Sequence, residues 1–451
     1  MNTQPDYWTI REQLAPDVPK IWVTGVGLVT AMDRIRVGGT GWPGATEVNW
    51  AAIRRGHSAA GRVSLDGSGD FAFAQDRHGG LAAYGDVRAI PLRGDLHAAA
   101  DTAYHDASLG RLNYDRDRAA CLVGLSKGII SELQTLHRMT REGRLDDPIF
   151  ARSNRTYGMG WPNFAAANLS SRYGLRGPSL APVAACATGL IAAIQGATLI
   201  RQGVCDLALV GAADGSVDPM MMAAFRKMKA LARVDGDPAY AVRPWDKNRS
   251  GFLLGEGAAV LVLEREDHAR ARGVLPYAEF AGGAFGSDAY HITDLNPDPS
   301  GLAHLIGLAL KNGDMQPSEL DYVNVHGTAT RQNDPLECRA IRKALGSHAD
   351  TISCSANKAQ IGHLLGAAGA AELAITCLAI RDGFVPPTLN LDDPDPACDL
   401  DGTPHVGKAR EIRAALKISI GFGGHLAAAV LRRPSGPRRS PIPLNPSPDS
   451  P

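Results

Sequence analysis

The segment ATGLIAAIQGATLIRQG, residues 187–203, puts small or apolar residues on nearly every face of the helix it predicts. A surface helix keeps one polar side, so this one has to be covered all round. A second small-residue helix follows at 367–383, AAGAAELAITCLAIRDG. Apolar strands alternate with helices on both sides of these segments. KIWVTGVGLVTA, AACLVGLS, CDLALVGAADG and AAVLVLERED read as strands, with IISELQTLHRMTREG as an amphipathic helix among them. A second series runs from PYAEFAGGAFG through LAHLIGLALKNGD, LDYVNVHG and PLECRAIRKALG. That order implies sheets covered by helices, in two successive α/β halves at 20–268 and 269–433. Residues 1–19 form a polar tail, 31–95 are glycine-rich and irregular, and the Pro/Ser-rich 434–451 is expected to be disordered.

Several functional classes are disfavoured by composition. Lysine plus arginine and aspartate plus glutamate are 47 each, so no global field draws the chain to nucleic acid or an anionic membrane. The cysteines at 121, 186, 205, 338, 354, 377 and 398 are scattered and form no CxxC pair. Neither a disulfide framework nor a metal site is expected, and a reducing cytoplasm fits. MNTQPDYWTIREQL does not read as a secretory leader, and no run of apolar residues is long enough to predict a membrane span. TGVGLVT opens like a dinucleotide fingerprint but lacks its third glycine. GLSKG at 124–128 satisfies G-x-S-x-G and makes Ser126 a rival nucleophile, although a glycine turn at a strand end explains it more simply.

SLAPVAA reads as a short buried strand, and Cys186 falls where it turns into the first buried helix. Unpaired N–H groups at a helix start favour negative charge, which predicts a lowered thiol pKa. His326 follows an apolar strand in VNVHGTAT, and His363 sits in a glycine-flanked loop, NKAQIGHLLG. A thiol with two imidazoles suits carbon–carbon bond formation on thioesters, the sulfur holding an acyl group while the imidazoles stabilise an enolate.

YGLRGPSLAPVAACATG, RPWDKNRSGFLLGEGAAVLVLE, FGSDAYHITD, VNVHGTAT, IGHLLGAAGAAE and GFGG together resemble the elongating, type II β-ketoacyl-acyl-carrier-protein synthases of the thiolase superfamily, from about 20 to 433. The resemblance implies an α/β, thiolase-like fold: duplicated βαβαβαββ halves in a five-layered α/β/α/β/α arrangement. It also implies a homodimer, with a heterodimer of related subunits as the alternative. Cys186 then corresponds to the acyl-accepting nucleophile, His326 and His363 to the decarboxylating pair, and Lys358 and Glu372 to charges that orient them. Phe422 and Gly423 of GFGG, Thr328, Thr330 and Asp288 correspond to residues around the substrate arm. The oxyanion hole would join the N–H of Cys186 to that of Phe422. Arg226, Lys227, Lys229 and Arg233, at helix-like spacing, would dock an acidic acyl-carrier protein. That carrier would deliver phosphopantetheine, and no resident cofactor is expected.

The sequence departs from the family at Ile418-Ser419-Ile420 before GFGG, at Leu426, around Lys358, and at GLSKGII, whose counterpart borders the acyl pocket at the dimer interface. An acyltransferase on the same fold and a non-condensing partner subunit are the alternative functions. A serine hydrolase acting through Ser126 is the more distant one.

Overall fold

Ten strands register along one main sheet: β1 Ile21–Thr30, β2 Ala119–Leu125, β3 Ser179–Leu180, β4 Leu207–Asp214, β5 Gly257–Arg265, β6 Ala278–Ser287, β7 Tyr322–Asn324, β8 Ser353–Ser355, β9 Ala414–Gly421 and β10 His425–Arg432. Their spatial order is β8-β7-β9-β10-β6-β1-β5-β4-β2-β3. The first five strands lie in the order β1-β5-β4-β2-β3 and the second five in the order β6-β10-β9-β7-β8, the same path twice. Directions repeat as well. In each half the first two pairings are antiparallel and the next two parallel. Only Trp22↔Glu279 and Val23↔Ala278 register across the seam between β1 and β6. This computed structural model describes residues 18–32, 45–61, 81–82, 92–128, 130–143 and 160–441. Most of the N-terminal tail, most of 31–95 and residues 442–451 lie outside them.

Successive residues of a strand point to opposite faces, and here both faces are buried. In β5, Ala259, Leu261 and Leu263 enter a central core, while Ala258, Val260 and Val262 enter a second core on the outer side. In β10, Ala427, Ala429 and Leu431 enter the central core and Leu426, Ala428 and Val430 a third. The helices that bear on the site are α1 Leu92–Asp106, α2 Phe164–Tyr173, α3 Thr188–Arg201, α4 Pro219–Lys227, α5 Ser300–Asn312, α6 Asn333–Leu345 and α7 Ala368–Asp382. α1 and α2 cover the outer face of the first half, and α5 and α6 that of the second. α3 and α7, the two small-residue helices, fill the space between, giving the expected five layers. Every residue of α7 from Ala368 to Arg381 is buried. Glycine permits the closest approach of these two helices: a Cβ on Gly189 would lie 2.6 Å from Ala370 N, and one on Gly369 2.8 Å from Leu190 N.

Three expectations need correction. The run before Cys186 is not a buried strand. β3 is a two-residue edge strand, with Leu180 and Val183 exposed, because Pro178 and Pro182 flank it and cannot donate to a ladder. The basic segment is not one helix either. α4 ends at Lys227 and Lys229 turns left-handed at φ 57°, so Arg233 lies well past the helix. The C-terminal segment does not leave the body at 434. Arg439 donates to the backbone oxygens of Thr24, Asp106 and Leu275, and pairs with Asp106 at 2.7 Å.

Candidate active site

Cys186 occupies a single 3₁₀ turn, Ala185–Ala187, that leads into α3. The Thr188 hydroxyl accepts from Ala184 N–H at 2.9 Å and donates to Ala185 O at 2.8 Å, fixing the turn. Ala185 takes φ 47°, a left-handed conformation that costs an alanine about 1–2 kcal/mol. The Cys186 sulfur lies 3.2 Å from Nε2 of His363. Burial pushes this thiol up to about 12, against the opposing pull of Lys358 and Lys127. The expected lowering at a helix start does not occur, because desolvation outweighs the favourable charges.

His363 precedes α7 in a loop tied to its surroundings by backbone bonds, donating to Leu253 O at 2.8 Å and accepting from Gly255 N at 3.0 Å. Its ring makes a T-shaped contact with Phe252, centroids 4.7 Å apart, and stands 5.5 Å from the His326 ring. His326 follows the end of β7, and its N–H and that of Gly327 both donate to the buried Glu337 carboxylate. Burial, then the Lys358 charge, holds both imidazoles well below their ordinary value, so both rings are neutral at physiological pH. A neutral imidazole keeps an N–H that it can offer to a developing oxyanion. Lys358 Nζ binds His326 O, lies 3.4 Å from His326 Nδ1, and pairs with Glu372 at 2.6 Å.

Sequence reasoning missed Lys417. It sits in β9, fully buried, with Nζ 2.6 Å from the other oxygen of Glu372. A lone charge inside the largely apolar ALKISI was the available signal. Glu337 was missed as well; burial raises it to about 7, and besides the Asn333 amide at 3.2 Å its partners are the backbone N–H groups of His326 and Gly327, which no side-chain pattern announces.

Cys186, His326 and His363 line a cleft of about 1290 Å³ whose wall includes Phe422, Thr328 and Thr330. The two threonine hydroxyls lie 3.0 Å apart. The Phe422 ring packs on Phe225 at 6.3 Å, and a Cβ on Gly421 would come within 3.1 Å of Cys186 N, so the end of β9 touches the Cys186 turn. Gly423, at φ 84°, donates its N–H to Ile292 O at 2.8 Å. Asp288 lies beside that turn and accepts from Tyr290 N and Asn296 N; it and Gly423 do not line the cleft. Arg226, Lys229 and Arg233 line the mouth, and Lys227 does not. Ser126 donates to Asp214 and accepts from Lys127 at 2.6 Å, and it has no histidine among its hydrogen-bond partners. Among the described residues no group of His, Cys, Asp or Glu is arranged to hold a metal ion, and no helix is long and apolar enough to cross a membrane.

A duplicated five-layer body, with a cysteine from one half facing two histidines from the other, defines a protein of the thiolase-like fold. The family described as the beta-ketoacyl synthase N-terminal domain matches residues 95–269, and its C-terminal counterpart matches 277–392. The 3-oxoacyl-[acyl-carrier-protein] synthase 2 of Rhizobium meliloti is 36% identical over 440 residues, covering 92% of this chain and 99% of that one. The chain belongs to the β-ketoacyl synthase family. The synthase 2 of Coxiella burnetii is 41% identical over 60% of this chain and 66% of its own length. The tetracenomycin polyketide synthase ketoacyl synthase alpha subunit of Streptomyces glaucescens is 44% identical over 59% of this chain and 62% of its own. The match therefore spans just under two thirds of these last two relatives. Among solved structures, a ketosynthase in complex with its type II polyketide acyl-carrier protein superposes with a TM-score of 0.81 at 30% identity, covering 92% of this chain and all of that one. A beta-ketoacyl synthase of Burkholderia phymatum gives 0.79 at 29% identity, with the same coverage of this chain and all of that one.

Proposed function

We propose that this chain catalyses decarboxylative Claisen condensation of an acyl-enzyme thioester with malonyl-acyl-carrier protein, giving a β-ketoacyl-carrier protein in fatty-acid or polyketide-type elongation. The observation that carries the reading is the 3.2 Å contact between the Cys186 sulfur and His363 Nε2, with His326 facing the same space. A thiol held near 12 beside a neutral imidazole is a resting pair, not a standing thiolate. As the sulfur attacks the acyl thioester its proton passes to His363 and on to the departing phosphopantetheine thiol, leaving acyl-Cys186. The carrier's malonyl group then loses CO₂, and the electron pair left behind becomes an enolate whose oxygen accepts from the imidazole N–H groups. The enolate carbon attacks the acyl carbonyl. The tetrahedral oxyanion is met by the N–H groups of Cys186 and Phe422, and its collapse frees the Cys186 sulfur as a thiolate, which takes up a proton from solvent.

Thr328 and Thr330, on the cleft wall, suit the amide-rich phosphopantetheine arm, and Phe422 on its glycine-flanked turn suits a gate. Asp288 and Gly423 serve from behind, bracing that turn. Arg226, Lys229 and Arg233, exposed and lining the cleft, support docking of an acidic carrier, and Lys227 is exposed beside them. The exposed Leu180 on edge strand β3 and the exposed Val183 just beyond it support pairing with a second copy or a related subunit along that edge.

Incubation with a panel of acyl-carrier proteins, read by intact mass, tests the reading. The parent and Ser126→Ala should gain an acyl group and, with malonyl carrier, form the condensation product; Cys186→Ala should gain none. No adduct on the parent, or loss only in Ser126→Ala, would reject it. Loading followed by transfer to a hydroxyl or amine, without CO₂ loss, would mark an acyltransferase instead.

A further inference from the structure

Behind His326, away from the cleft, two lysines share one carboxylate. Glu372 on α7 holds Lys358 through Oε1 and Lys417 through Oε2, each at 2.6 Å, and all three side chains are fully buried. The same two ammonium groups take three consecutive backbone oxygens. Lys417 Nζ lies 3.5 Å from Asn324 O and 3.3 Å from Val325 O, and Lys358 Nζ binds His326 O. β7 is only three residues long and ends at Asn324, so the chain carrying His326 has already left the strand. Lys417 registers beside Asn324 on the neighbouring parallel strand. In β9, Leu416, Ile418 and Ile420 enter the outer core, which leaves Lys417 on the face toward α7. Burying an ammonium is costly unless it is paired, and an aliphatic side chain would fill this face without that cost. The lysine's contacts all lead to one place: the turn that aims His326.

We propose that Lys417 is a positioning residue for the decarboxylation step: through Glu372 and the Asn324 and Val325 carbonyls it fixes the His326 turn, while acyl loading of Cys186, served by His363, proceeds without it. The proposal rests on the condensation reading above. The Lys417 ammonium also places a cation behind the imidazole, set between the carboxylate of Glu372 and the Glu337 carboxyl that holds the same turn. Removing Lys417 loosens the turn and withdraws that charge together. The cysteine turn, held by Thr188 and by the contact with Gly421, keeps both of its supports.

The test separates the two half-reactions in the parent, in Lys417→Met, which keeps the length and loses the charge, and in Lys417→Ala. Acylation of Cys186 is followed by intact mass. Decarboxylation is followed as conversion of malonyl to acetyl carrier without an acyl primer, and folding by thermal melting. Expected is a folded Lys417→Met that loads Cys186 within a few-fold of the parent rate and decarboxylates about a hundredfold more slowly, the usual scale for losing one preorganised electrostatic group. Methylammonium should restore part of the decarboxylation in Lys417→Ala and leave its loading rate unchanged. Equal loss in both half-reactions, loss in neither, or failure of both variants to fold would overturn the proposal, the last because the lysine's role would then be structural. A parent that loads Cys186 but forms no acetyl carrier would overturn the condensation reading itself.

Discussion

At Cys186 two opposing influences meet, and burial wins. Its neutral partner His363 cannot hold the sulfur as a thiolate, so the free protein keeps a protonated thiol. Alkylation of Cys186 by iodoacetamide should therefore speed up about tenfold per pH unit from 7 to 10 with no plateau, since the thiolate fraction is still rising. A plateau near neutral pH would mean a standing ion pair with His363. The stability consequence follows in sign. Below the ordinary thiol value of 9.0 both folded and unfolded chains keep the proton and the residue contributes nothing. Between there and about 12 only the unfolded chain ionises, so stability falls as pH rises through that window. The cysteine and both histidines were legible in the sequence because each sits where an apolar run breaks off beside glycine or small residues. Lys417 was not, because its strand reads as apolar core and a single cation within it looks like an exposed position until burial is known. The lowered thiol was misjudged because a helix start is visible in a sequence and the depth of its burial is not.

Among the elements, α3 and α7 decide where the reactive groups meet. Their contact at Gly189 and Gly369 lets the helices approach until backbone meets backbone, which brings the Cys186 turn and the His363 loop together. Gly189→Val should lower unfolding stability by about 1–3 kcal/mol or more in denaturant titration, the range of overpacked cores, and should slow acyl loading as well. A change below about 0.5 kcal/mol would mean the helices slide apart freely. Both helices could be read from their small, apolar composition, since a segment lacking a polar face has few places to go. β3 could not, because its residues look apolar in isolation and only the flanking prolines limit it to an edge. The end of α4 was missed for a related reason: the basic residues fit a helical repeat, and the left-handed Lys229 that breaks it is not a glycine.

Across the whole molecule, charge is balanced globally and gathered locally. Arg226, Lys229 and Arg233 stand at the mouth of the cleft, where the carrier would dock. Lys229→Glu with Arg233→Glu should raise KM for carrier-borne substrate about tenfold or more and leave kcat within a few-fold, with the parent's own KM rising as salt is added. An unchanged KM would move the docking surface elsewhere. The two α/β series were legible as an alternation of periods. Their identical strand order was not, because pairing partners far apart in sequence leave no mark on either segment. The chain passes from one half to the other once, between Arg265 and Ala278, and the active site straddles that passage. Cys186 and the basic mouth belong to the first half, whereas both imidazoles, their buried charges and Phe422 belong to the second. Under the condensation reading, neither stretch of the gene loads or condenses alone: the sulfur and the basic residues are written upstream of the passage, and the imidazoles, the threonines of the arm and the Phe422 gate downstream. A substitution on either side of the passage is therefore felt by groups encoded on the other.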